Sequence, residues 1–401
     1  MLKVNRRIAA IKPSATLAAD ARATEMKAAG IDVVSLAAGE PDFDTPEHVK
    51  QAAVKALAAG QTKYTAVGGT AALKNAIKLK LKRDNNLDYE PNEIIASAGC
   101  KQAEANVIAA LFDEGDEVII PTPAWVSFAA MVSLAGAEAK FVPSSEESGF
   151  ILEPEALRRA ITPRTRGIML NSPSNPTGAV YGPESLAAIA RVLVDTDIWV
   201  MSDDVYEHIV YTENGLPPHI FHVEPQLKSH GIVFNSLSKT YAMTGWRIGF
   251  AAGPKEAIAA AGRLQSQNSG NPNSMTQAAA IEALTGPQDE LKPMLKAFRE
   301  RNALVVERVR RIPGFKLPNV PDGAFYAFPN VSGLLGSRFG DKTITDGDGL
   351  AAYLLDEAHV SLVGGNDFGA PNHVRLSYAT STKNLNEAFD RIERAVAKLK
   401  R

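Results

Sequence analysis

The chain has a single cysteine, Cys100, in 401 residues, so no disulfide can form within it; this fits a reducing compartment. Neither charge is in excess: 43 Lys and Arg against 45 Asp and Glu give a formal net charge of -2. That balance points to neither nucleic acid nor an anionic membrane as a partner. No apolar run is long enough to span a bilayer. Residues 1–7 are basic, but only 8–11 are apolar after them, too short for the core of a signal peptide, so the cytoplasm is the default compartment. A dinucleotide-binding G-x-G-x-x-G after a strand, a P-loop, a nucleophile elbow and an H-E-x-x-H pair are all missing. His48, His208, His219 and His222 read as surface or capping residues rather than ligands.

What is there is enough chain for two domains, with 45% apolar and 22% charged residues. Short apolar strands are expected at 94–97, 117–121, 166–170, 198–201, 231–234 and 248–251. Helical patterns lie between several of them, from Lys101 onward, at 125–134 and at 183–194. That alternation predicts an α/β fold with a mostly parallel sheet covered by helices on both faces. Ligands in such sheets sit beyond the carboxyl ends of the strands. Gly99, Asn171, Asp203 and Ser236 each end or follow one of these runs. After residue 290 the pattern changes to a long amphipathic helix at 291–311, a short strand at 324–328, and helices at 350–359 and 385–399, as in a smaller α+β domain. A helix at 15–29 and a strand at 32–36 are expected to pack with it. The segment 331–348, rich in Gly, Ser and Asp, is expected to be an exposed loop.

The most informative stretch is 235–249, where Lys239 follows Ser236 and Ser238 and precedes Arg247 by eight residues. A pyridoxal 5'-phosphate (PLP) pocket needs an amine to bond the cofactor aldehyde, with hydroxyls and a guanidinium fork for its phosphate. Alone, the motif also suits a surface lysine after a strand. Asp203 ends an apolar strand, where a carboxylate can pair with the pyridine nitrogen or simply cap a helix. Tyr206 follows and can reach the ring 3'-oxygen. In the loop 171–178, Asn175 can donate to that oxygen or to a substrate carboxylate. Gly99, Cys100 and Lys101 join a strand to a helix whose N-terminus favours a phosphate. Trp125 can stack on a flat ring or belong to the core. Arg375, in an alternating strand, suits an α-carboxylate or a surface salt bridge.

Taken together the motifs resemble the class I aminotransferases of fold type I PLP enzymes, and within them the bacterial aspartate aminotransferase subgroup that includes aspartate/prephenate aminotransferases. The resemblance covers nearly the whole chain, through 11–16, 38–46, 63–65, 171–178, 236–249 and 322–326. It implies a seven-stranded-type sheet between helices, with 1–45 as an N-terminal arm and part of a small domain, 46–288 as a large PLP-binding domain, and 289–401 as the small C-terminal domain. It implies that Lys239 holds PLP, that Asp203 meets the ring nitrogen, and that Tyr206 and Asn175 meet the 3'-oxygen. Trp125 would stack on the ring, while Ser236, Ser238, Arg247 and the 99–101 backbone hold the phosphate. Tyr64 would reach the phosphate of the other subunit, making a homodimer with shared sites. Gly39 and Arg375 would contact the substrate carboxylate. Lys12 matches the position associated with prephenate. Cys100 stands where a second glycine is usual, Ala124 where a tyrosine is common, and 364–369 departs from the usual P-G-S-x-F-G. The expected reaction is transamination between amino acids and 2-oxo acids, with aspartate and 2-oxoglutarate first. Prephenate or aromatic transamination, a lyase on the same fold, and a PLP-binding regulator are the alternatives.

Overall fold

The computed structural model describes residues 4–11, 15–212 and 215–400. Seven strands form one sheet: β1 (Ile94–Ser97), β2 (Glu117–Thr122), β3 (Glu138–Pro143), β4 (Thr165–Asn171), β5 (Trp199–Asp203), β6 (Gly231–Ser236) and β7 (Gly249–Ala252). Across the sheet they run β1-β7-β6-β5-β4-β2-β3. Neighbours are parallel except β7, which is antiparallel to both β1 and β6. Apart from the edge strand β3, the strands are apolar on both faces, and each face feeds its own core. Ile119, Ile168, Val200 and Val233 pack into one core. Their neighbours Val118, Met169, Met201 and Ile232 pack into the other. This is the two-residue period of a strand.

Strand β3 is a departure from the sequence reading, which placed no strand at 138–143. It is an edge strand with mostly exposed or half-buried residues, so it shows no apolar run. Helix α1 (Cys100–Leu111) leaves β1 through Gly99, whose φ of 93° suits glycine. It packs on α2 (Lys255–Asn268), on β7 and on β6.

The C-terminal part has its own core. Helix α3 (Leu291–Arg311) buries Met294, Phe298, Val305 and Val309 along one stripe. They meet α4 (Gly347–Ala358), α5 (Thr382–Val396) and a three-stranded antiparallel sheet in the order β9-β10-β8. Its strands are β8 (Tyr326–Ala327), β9 (Val363–Gly364) and β10 (Val374–Ser377). The N-terminal strand Val34–Ser35 pairs in parallel with Val360–Ser361, and Leu36 joins this second core. The segment 331–348 is not a plain exposed loop: Val331, Leu334, Ser337 and Ile344 are buried and a short hairpin lies between them. Its scattered apolar residues pin it down. Among the described residues, no helix is long and apolar enough to cross a membrane.

Candidate active site

The carboxyl ends of β4, β5 and β6 open into a cavity of about 420 Å³, closed on the far side by β8 and β10. Lys239 enters it just after β6. Its Nζ is buried and donates to the Gly39 carbonyl. Burial pulls its pKa down to about 8, against the opposing pull of Glu40. Asp203, the last residue of β5, is 4% exposed. Its oxygens accept from Asn171 Nδ2 and from the Val205 N–H, each at 3.2 Å. Burial first, then the Asp204 charge, push its pKa up. The Tyr206 hydroxyl shares a 2.9 Å hydrogen bond with that of Tyr326.

Arg375, on β10, is 2% exposed, which excludes the surface salt bridge left open by its sequence. Its Nη1 donates to Asn175 Oδ1 at 3.0 Å and its Nη2 to the Ala37 carbonyl at 2.7 Å. The guanidinium carbon lies 4.5 Å from the Tyr326 ring centroid. Its Nε is buried without a hydrogen-bond partner, and among the described residues no carboxylate pairs with this cation. A buried cation held by neutral acceptors is suited to an incoming anion.

At the other end, the Ser238 N–H donates to Ser236 Oγ at 3.1 Å. Arg247 reaches across to the start of α1, with Nη2 3.4 Å from the Ala98 carbonyl and Nη1 2.8 Å from that of Thr244. A side chain at Gly99 would run into this guanidinium. Lys101 Nζ sits 4.8 Å from the centre of the Trp125 ring, which stands edge-on to Phe128.

The cavity thus gathers Gly39, Cys100, Lys101, Trp125, Asn175, Asp203, Tyr206, Ser236, Ser238, Lys239, Arg247 and Arg375, with Gly99 directly behind Arg247. Tyr64 is not brought there: it is 97% exposed. Lys12 lies outside the described residues. Sequence reasoning missed Tyr326, Asn171 as a partner of Asp203, and Glu104. The last stands one turn beyond Cys100 on α1, a spacing that puts both on one helix face. His219 caps as expected, accepting from the Phe221 N–H, but it is buried rather than at the surface.

Residues 31–392 match the family model for aminotransferase class I and II. The chain belongs to this aminotransferase family. The aspartate aminotransferase of Geobacillus stearothermophilus is 47% identical over 395 residues, 98% of each chain. The aspartate/prephenate aminotransferase of Cereibacter sphaeroides is 47% identical over 388 residues, 96% of each. Among solved structures, the Rhizobium meliloti aspartate aminotransferase matches at TM-score 0.96 and 46% identity, covering 100% of both chains. The Thermus thermophilus aspartate aminotransferase with maleate matches at TM-score 0.92 and 43% identity, covering 98% of this chain and 100% of its own. The aminotransferase reading of the sequence and its mostly parallel sheet are therefore both borne out, and the enzyme moves amino groups.

Proposed function

We propose that this aminotransferase uses PLP and transfers the amino group of aspartate to 2-oxoglutarate. The observation that carries the reading is the pairing, in one cavity, of a buried lysine of lowered pKa with a buried arginine that lacks an anion. The donor set fits PLP. Lys239 would bond its aldehyde, Asp203 would meet its ring nitrogen, and Tyr206 and Asn175 its 3'-oxygen. Trp125 would stack on it, and Ser236, Ser238, Arg247 and the start of α1 would hold its phosphate. When bound, PLP supplies an electron sink that stabilises negative charge at the substrate α-carbon.

The chain's own residues do the rest. Arg375 binds the substrate α-carboxylate beside Gly39 and orients the amino group toward Lys239. The Lys239 amine, free in this cavity, would serve as the general base and acid that moves the substrate α-proton. Burial in the open cavity, which lowers its pKa to about 8, favours the neutral, basic form of this amine. Asp203, in its dry site, would hold a proton at the ring nitrogen.

A dicarboxylate is favoured by Lys101, whose ammonium overhangs Trp125 at the rim, and by the relatives named for aspartate. Lys12 is a second candidate for the distal carboxylate. Prephenate is the second reading, favoured by the 47% identical aspartate/prephenate relative. Mixing the enzyme with single amino acids and following its visible absorbance tests the first, and adding prephenate to the amino-loaded enzyme tests the second. Aspartate should give the fastest change, and no response to any dicarboxylic amino acid would sink the assignment.

The separate C-terminal core supports the division into an arm and small-domain part at 1–45, a large domain at 46–288 and a small domain at 289–401. We also infer a homodimer in which Tyr64 serves the partner's site. It is 97% exposed, and Val54 and Leu57 are further exposed apolar residues of the same part of the chain, side chains that a partner subunit could cover. Mixing inactive Tyr64→Ala and Lys239→Ala subunits should restore part of the activity, since a mixed dimer has one site free of both defects. No recovery despite demonstrated subunit exchange would mean that each site is built from one chain.

A further inference from the structure

The floor of the cavity holds an acid with no place in the scheme above. Glu104 is 1% exposed and lies on the face of α1 that looks toward the end of β5. Its Oε1 receives the Cys100 thiol at 3.8 Å, a weak contact, while its Oε2 is buried with no partner. The carboxyl groups of Glu104 and Asp203 and the sulfur of Cys100 approach within 4.8 Å of one another. Two carboxylates this close in a dry site cannot both stay charged.

We propose that Glu104 is a positioning residue for Asp203: as a neutral acid it donates its O–H to the Asp203 carboxylate and holds it toward the cofactor nitrogen. This rests on the reading of Asp203 as the nitrogen's partner. Several observations make Glu104, rather than Asp203, the proton holder. Asp203 already accepts from Asn171 and from the Val205 N–H, both of which favour its charged form. Glu104 has only the weak thiol contact. Burial, then the charge of Asp203, drive its pKa well above the carboxylate range, and Lys101 and Cys100 offset this only in part. Asp204 and Lys239 face the pair from the Asp203 side, with opposite effects. Burial also pushes the Cys100 thiol up, so its S–H stays a donor to Glu104.

The neutral acid would keep the net charge of the floor at one negative unit, matched to one protonated ring nitrogen. A hydrogen bond to a charged acceptor also fixes which oxygen of Asp203 faces inward. Replacing Glu104 by leucine keeps the bulk and removes the donor, whereas glutamine keeps a donor without a titrating proton.

The test uses both variants. Infrared spectra of the apoenzyme should contain a protonated-carboxyl band at neutral pH that Glu104→Gln removes. With cofactor bound, Glu104→Leu should lower kcat roughly tenfold with KM little changed, as expected for one lost charge-assisted hydrogen bond. Glu104→Gln should recover most of that loss. Absence of the band, or equal rates in the two variants, would overturn the proposal and leave Glu104 as packing. If the leucine variant does not fold, the band and its loss in Glu104→Gln still decide. Normal turnover in Asp203→Ala would instead remove the nitrogen-partner reading, a separate failure because the band is read without cofactor.

Discussion

Two clusters of buried charge lie on opposite sides of the turn at 203–208, and they are built on opposite terms. On one side Glu207 accepts from Lys80, from Asn85 and from Asn235, the last two at 2.7 Å. Nearby, Asp84 pairs with His208 at 3.1 Å and Arg83 at 2.6 Å. Asp204 is held by Ser202 at 2.7 Å and His219 at 2.9 Å. Burial opposes ionisation of Glu207, but Lys80 and His208 outweigh it and hold its pKa low. On the other side, Asp203, Glu104, Lys239 and Arg375 share a cavity with no bonded ion pair among them. There burial dominates, raising the acids and lowering the lysine. Paired charge stabilises the turn, while unpaired charge is poised for a ligand.

The sharpest way to break this contrast is Lys239→Ala. It should abolish turnover while still admitting PLP without a covalent link, and borohydride reduction of the native enzyme should place the adduct on Lys239. A reduced adduct mapped by mass spectrometry to another lysine would end the assignment. Next, Asp203→Ala should slow turnover a hundred- to several-thousand-fold, if the loss of a buried charged partner of about 3–5 kcal/mol falls on the transition state. Its melting temperature should change little, because Asp203 has no ion-pair partner to strand.

Glu207→Ala should behave in the reverse way. Lys80 would keep only Asn85 and the more distant Asp84, and the loss of its nearest partner should cost up to about 3 kcal/mol of stability, read as a lower denaturant midpoint. A normal midpoint with a collapsed kcat would erase the difference between the clusters. Arg375→Ala should weaken every substrate by about 1.5–3 kcal/mol, since each carries an α-carboxylate. Lys12→Ala should spare monocarboxylic amino acids, and equal weakening of alanine and aspartate would make that lysine structural. The smallest effect concerns pH. Only the neutral amine bonds an aldehyde, so PLP capture by apoenzyme should rise roughly fivefold from pH 7 to 8, about twofold more by pH 9, and then level off. A rate still climbing well beyond that range would mean an ordinary, solvated lysine.

Much of the fold was legible because buried parallel strands read as apolar runs and β1 was bounded to the residue. Strand β3 escaped, since an edge strand with Glu138, Lys140 and exposed Phe141 carries no such run. The polar residues ending β4, β5 and β6 stood out against apolar neighbours, which is why Asn171, Asp203 and Ser236 were found. Glu104 did not stand out, because a glutamate on a helix normally faces water and only packing against the sheet reveals that this one does not.

By itself, then, the order of residues determined the strand-helix alternation, the place of Lys239 after a strand, and the family, because these depend on local pattern and adjacent motifs. Only the tertiary structure decided that Arg375, on a separate small sheet, bonds Asn175 across 200 positions of chain. It alone decided that Tyr64 stands exposed, outside the lining of the cavity, and that Glu104 points toward Asp203. Burial and the absence of a partner shift a pKa or create an anion site, and neither is a property of a residue until distant segments have closed around it.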